Sequence, residues 1–98
     1  MSERKSNRGK IEIMGDVLAL TNSSMKKTHI MYKANLSYEQ LHLYLDELLA
    51  RQLVLQDVSR DGTFFRTTER GREFLQHYHH LSEFLKEPEI LEAPYLRS

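Results

Sequence analysis

Two groups of side chains in this sequence have the types and spacing to do chemistry. The first places Lys26, Lys27, Thr28, His29 and Lys33 just ahead of Ser37, Tyr38, Gln40 and His42, with Arg60 and Arg66 following an apolar stretch. Cations and hydroxyls at this density suit phosphate oxygens, whose contacts fix register without reading sequence. A glutamine amide matches the donor and acceptor on the edge of adenine, and a serine hydroxyl serves a base or a phosphate. Gln40 is therefore the first candidate for base readout, unless its amide only closes a capping box with Ser37. Tyr38 has two readings: a core ring with its hydroxyl at the surface, or a contact to nucleic acid.

The second group is Glu73, His77, His79 and His80. Glu73 and His77 stand four residues apart, with His80 one turn further, a spacing that puts metal ligands on one helical face. Two or three ligands on a single exposed helix do not close a site, so neither a metal nor a cofactor is expected. The histidines read instead as a solvated or dimer-flanking face that makes dimer stability sensitive to pH near ~6.5. The chain has no Gly-rich phosphate loop, no His-Glu-x-x-His and no nucleophile elbow. It is expected to have no enzymatic activity and no small-molecule substrate.

The elements that must position these groups follow from periodicity and punctuation. A helix over about Lys26 to Ala34 has Ile30, Met31 and Ala34 as apolar positions, Ser24 upstream as a candidate N-cap, and Asn35 suited to a left-handed stop. Ser37 caps a second helix after only Asn35 and Leu36, with Gln40 at the third position of a capping box. A tight turn between two short helices is the helix-turn-helix signature. On the second helix Tyr38, Leu41, Leu45, Leu48 and Leu49 make one apolar face, and Glu39, Gln40, His42, Leu43, Asp46 and Glu47 make the other. Leu53 to Val58 and Thr63 to Thr67 then form a β-hairpin, with Asp61-Gly62 as the turn and Arg60 at the tip.

Two further helices frame this unit. Lys10 to Leu20 carries Ile11, Met14, Val17 and Leu18 on one stripe, widened by Ile13 and Leu20, which is more than a narrow seam requires. Thr68 caps a last helix that runs to about Lys86 before Pro88. Its Phe74, Tyr78, Leu81 and Leu85 follow spacings of 4, 3 and 4, the rhythm of a coiled-coil seam, with Leu75 and Phe84 at the margins. That seam is expected to form a homodimer interface; the alternative is that Phe74 and Tyr78 complete the monomer core.

The expected fold is mainly α with a small β-hairpin (α+β): a winged helix-turn-helix over residues 10–67 and a C-terminal dimerisation helix over 68–87. A flexible basic arm over 1–9 precedes them and a tail over 88–98 follows. Hydrophobic residues at 40% and charged residues at 29% are ordinary globular usage. No apolar run approaches the ~20 residues of a membrane span, and the N-terminus lacks a signal-peptide stretch, so a cytoplasmic protein is expected. The absence of cysteine excludes disulfides and thiolate metal sites. The net charge of zero conceals a polarity: residues 1–33 hold seven Lys or Arg against three Asp or Glu, a balance of +4 that leaves −4 for the rest. Such a chain offers an anionic partner one basic surface, the alternative being a solvated surface with a disordered basic tail.

The strings KTHIMYKANLSYEQL and RTTERG, within a stretch from Ile11 to Leu85, resemble archaeal winged-helix regulators typified by the small ten-kilodalton DNA-binding proteins of the crenarchaea. The resemblance implies double-stranded DNA binding, nucleoid association or transcription regulation, and pairing of the C-terminal helix with a second subunit in an antiparallel coil. Those proteins often carry lysines on the exposed face of the recognition helix, where this chain has Glu39, His42 and Leu43, and a glycine before the first wing strand, where it has Gln52. The acidic helix with Leu43 motivates an alternative from another class, a winged helix used as a protein-protein interaction module.

Overall fold

The structure, a computed structural model, describes residues 9–85. The basic arm with Arg4, Lys5 and Arg8, the end of the last helix near Lys86, and the tail from Pro88 lie outside the described residues. Within them the order is α1 (Lys10–Leu20), β1 (Met25–Lys26), α2 (Lys27–Ala34), α3 (Tyr38–Ala50), β2 (Val54–Ser59), β3 (Gly62–Thr67) and α4 (Glu69–Leu85). The three strands form one antiparallel sheet in the order β1-β3-β2.

The turn between α2 and α3 forms as its residue types dictate. Asn35 takes a left-handed conformation at φ 57, and the N–H groups of Asn35 and Leu36 return to carbonyls of the last turn of α2. Ser37 Oγ then accepts from Gln40 N at 3.1 Å, while Gln40 Oε1 accepts from Ser37 N at 3.0 Å. This reciprocal pair satisfies two donors that a helix start would otherwise leave open. Gln52, at φ 60, occupies another left-handed position just before β2, where a glycine would be at ease.

The core joins all the layers. Ile13, Met14, Val17 and Leu18 of α1 meet Ile30 and Ala34 of α2, Leu41, Leu45 and Leu48 of α3, Val54 and Phe65 of the sheet, and Leu75 of α4. Each such Val, Leu, Ile, Met or Phe side chain contributes about 1.5–3 kcal/mol relative to exposure. Gly15 brings α1 and α4 together: a Cβ there would stand 2.7 Å from the Tyr78 ring, so only glycine lets that ring lie directly on the helix.

Several expectations are corrected. Ser24 does not cap α2; Met25 and Lys26 instead add a short strand to β3, with Met25 opposite Phe65, and Lys26 stands at the N-cap without a side-chain bond. The hairpin turn is Arg60-Asp61, because Ser59 pairs with Gly62; Gly62, at φ +129, begins the return strand. Ile11, placed on the buried stripe by periodicity, is 55% exposed, since it lies in the first turn of α1. Tyr38 is 57% exposed for the same reason at the start of α3, so its ring is not in the core. On α4 Gly71 and Leu75 are the buried residues, while Phe74 and Tyr78 pack half-buried against the core.

Candidate nucleic-acid interface

The start of α2, the middle of α3 and the sheet converge on an open groove of about 480 Å³. Lys26, Lys27 and Thr28 border it from α2 and its N-cap, His42 and Asp46 from α3, and Gln56, Thr63 and Phe65 from the wing. Three residues expected to meet phosphates, Lys26, Lys27 and Thr28, are thus brought together with His42, a candidate for base contact on α3. Tertiary structure sets this arrangement: β1 anchors Lys26 beside β3, where Lys26 Nζ stands 5.6 Å from the Phe64 ring centroid.

A chain of contacts orders the middle of the groove. Lys27 Nζ lies 5.4 Å from the Tyr38 ring centroid, and Tyr38 meets the His42 ring edge-on at 5.2 Å. His42 Nδ1 is 3.8 Å from Asp46 Oδ2, so protonated His42 would offset that carboxylate. The exposed Tyr38 ring therefore steers a lysine ammonium and an imidazole.

The remaining candidates stand apart from this groove. His29 and Lys33 are exposed on α2, and Arg60 is exposed at the hairpin tip. Arg66 alternates with Phe65 on β3, and its side chain reaches the Asp57 carboxylate of β2 at 3.8 Å, away from the α3 side of the wing. Ser37 and Gln40 are exposed at the start of α3 but are already committed to each other. The Gln40 carbonyl oxygen is engaged by the Ser37 N–H, which leaves its NH₂ donors for an outside partner.

The three carboxylates of α3 have different fates. Glu47 accepts from Lys10 Nζ at 3.0 Å and from Arg51 at 3.0 Å, and these two cations hold its carboxyl below the usual carboxylate range. It is thereby turned toward α1 and its charge is offset. Asp46 borders the groove beside His42, and Glu39 has no ion-pair partner among the described residues. Leu43, read from the sequence as lying on the exposed face, is 67% exposed, more than any other large apolar side chain of α3. Its position opposite Leu41, Leu45 and Leu48 was the available signal.

A second, apolar groove of about 700 Å³ lies between the start of α1 and the end of α4, where Ile11 meets Tyr78, Leu81 and Leu85. Leu81, Phe84 and Leu85 are all exposed, Leu85 at 82%. Among the described residues no group of three or more His, Asp or Glu is placed to hold a metal ion. No helix there is long and apolar enough to cross a membrane.

Two short helices joined by a left-handed asparagine turn, followed by a hairpin packed beside the second helix, define a winged helix-turn-helix protein. The comparison with known families agrees: the chain belongs to the winged helix-turn-helix family, whose model matches residues 7–86. Among solved structures it is similar to Sso10a-2, a DNA-binding protein from Sulfolobus solfataricus, with 26% identity and a TM-score of 0.74 over 79% of this chain and 81% of that one. It shares the fold of the transcriptional regulator BldR, also from Sulfolobus solfataricus, at 17% identity and a TM-score of 0.65, covering 82% of this chain and 64% of that one. It also shares the fold of the repressor CouR, solved with a 23-mer DNA duplex, at 24% identity and a TM-score of 0.62, over 68% of this chain and 51% of that one. The comparison with curated proteins found no match. The resemblance to small archaeal winged-helix proteins drawn from the strings around Asn35 and Arg66 therefore holds.

Proposed function

We propose that this protein is a non-enzymatic, dimeric winged-helix protein that binds double-stranded DNA, as a transcription regulator or a nucleoid-associated protein. The observation that carries the reading is the convergence of Lys26, Lys27 and Thr28 with His42 beside the wing. A groove between recognition helix and wing, bordered by cations, meets the duplex with α3 in the major groove and the lysines on flanking phosphates. Lys33 on α2 and Arg60 at the hairpin tip, exposed outside the groove, would add phosphate contacts, and Ser37 and Tyr38 stand at the start of the helix. His29 and Arg66 take peripheral places, Arg66 after release from Asp57. The DNA-binding character of Sso10a-2 and the DNA-bound state of CouR support the reading by likeness.

The dimer is supported by the apolar groove of Ile11, Tyr78, Leu81 and Leu85, which a second copy of the chain would cover. Phe74 and Tyr78 would then join the monomer core to the seam. The test is fluorescence anisotropy of the full chain with random-sequence duplex across a salt series, with mass measured by light scattering. Binding by a dimer that weakens steeply with salt supports the reading. Absence of binding at low salt turns it toward a protein-interaction module, the alternative that exposed Leu43 favours.

A further inference from the structure

The surface of α3 farthest from the core is a ridge of Glu39, Leu43, Asp46 and Ala50. At about 100° per residue these positions fall within one narrow sector, opposite the buried Leu41, Leu45 and Leu48. The cations proposed to meet phosphates, Lys26, Lys27, Lys33 and Arg60, all lie outside α3. The ridge itself offers carboxylate acceptors and an apolar side chain, and holds no arginine or lysine.

This distribution separates two tasks. Cations at the margin meet phosphates, while the ridge would face base edges. There an acceptor-only carboxylate is matched by the N4 amino group of cytosine, and an apolar branch by the C5-methyl of thymine. Guanine presents O6 and N7, both acceptors, and is disfavoured by the same carboxylate. Carboxylates so placed also weaken binding to arbitrary sequence, because they repel the backbone wherever no amino group repays their desolvation.

We propose that Glu39 and Leu43 are the specificity-determining residues of α3, Glu39 selecting cytosine through its amino group and Leu43 selecting thymine through its methyl group. The inference rests on the DNA-binding reading above. Four residues of helix rise about 6 Å, less than two steps of about 3.4 Å along one strand, so the two bases selected are one or two base pairs apart. The protein is on this account a sequence reader whose half-site core is rich in pyrimidines on one strand.

The test begins with selection from a random duplex pool by the full chain, followed by affinity measurements on the enriched site. A core with cytosine and thymine one or two steps apart is expected. Replacing that thymine by deoxyuridine, which lacks only the methyl, should weaken wild-type binding about fourfold and leave Leu43→Ala unaffected. Glu39→Gln should move the preferred base from cytosine to adenine, which a glutamine amide matches. Both positions are exposed, and an unchanged circular dichroism spectrum confirms the fold of each variant. Binding without sequence preference, or a selected site indifferent to both substitutions, overturns the assignment while leaving the DNA-binding reading intact. No binding to any duplex overturns both.

Discussion

The hydroxyls of Thr21 and Thr67 lie 2.8 Å apart in the interior, joining the end of α1 to the last residue of the wing. Thr67 Oγ1 donates to the Leu18 carbonyl at 2.7 Å, and Thr67 N donates to the Thr21 carbonyl at 2.9 Å. Leu18 O is one of the carbonyls that a helix end leaves without a backbone donor, and the Thr67 hydroxyl satisfies it, while Thr21 Oγ1 lies closer to the Val17 carbonyl, at 2.9 Å, than to that of Leu18. Thr67→Val keeps the shape and strands that carbonyl, so it should cost about 1–3 kcal/mol in denaturant unfolding. Thr21→Val leaves the Thr67 to Leu18 bond in place and should cost less, about 0.5–1.5 kcal/mol. The double variant should lose less than the sum, because both hydroxyls serve one network. A larger cost at Thr21 than at Thr67 would contradict the assignment.

The contact of Gly15 with Tyr78 sets how closely α4 lies on α1. A methyl group at position 15 would stand 2.7 Å from two ring carbons, so the ring must shift. Gly15→Ala should therefore lower stability by about 1–3 kcal/mol, in spite of the helix propensity of alanine. Trimming the ring in Gly15→Ala/Tyr78→Leu should recover part of that loss. Gly15→Ala as stable as wild type in chemical denaturation would show that α4 is free to move.

Glu47 joins α1 to α3 through Lys10 and Arg51, and both cations depress its carboxyl. A depressed folded-state value contributes stability above the ordinary carboxylate range, which is lost as pH falls through the folded value. The effect is small, because the lysine and arginine side chains are more than half exposed to screening water. Glu47→Gln should reduce the melting temperature slightly at neutral pH and low salt, with the difference vanishing in molar salt and below the carboxylate range. A deficit that persists in acid would point to packing rather than charge.

The sequence shows the helix-turn-helix because its signals are local. Asn35 needs only its own tolerance of positive φ, and the Ser37 and Gln40 box closes within four residues. Strand β1 is two residues long, Met25 and Lys26, and exists only because β3 offers an edge 39 or so positions away in the chain, within reach of Phe64 and Phe65. Periodicity placed Tyr38 and Ile11 on apolar stripes, yet the first turn of a helix projects past its neighbours, and burial is a property of the neighbours. The groove beside the wing was legible only as a list of cations; β1 and the packing of α3 are what bring Lys26 and Lys27 to His42.

The salt dependence of DNA binding should count the cations that meet phosphates. If Lys26, Lys27, Lys33 and Arg60 each neutralise one phosphate, the log-log slope is roughly −3.6 per subunit. Lys27→Ala should make it shallower by about one unit per subunit and weaken binding uniformly across sequences. Arg66→Ala should change it less, since Asp57 already holds that guanidinium. A Lys27→Ala slope identical to wild type would remove this lysine from the backbone contacts.

Leu75 and Leu81 stand six residues apart on α4 and differ sharply in burial. Leu75 is 7% exposed and belongs to the core, whereas Leu81 and Leu85 are open beside Ile11. Leu75→Ala should therefore destabilise the monomer fold by about 2–5 kcal/mol. Leu81 is already 54% exposed in the single chain, so Leu81→Glu should leave the monomer folded; on the proposal that two copies pair through this groove, its mass in light scattering should fall to one subunit. On the same proposal its DNA affinity should fall as well, because one winged domain would then engage one half-site instead of two. Ile11→Glu, on a different helix but in the same groove, should act alike. A Leu81→Glu protein that remains dimeric would show that the two copies meet elsewhere.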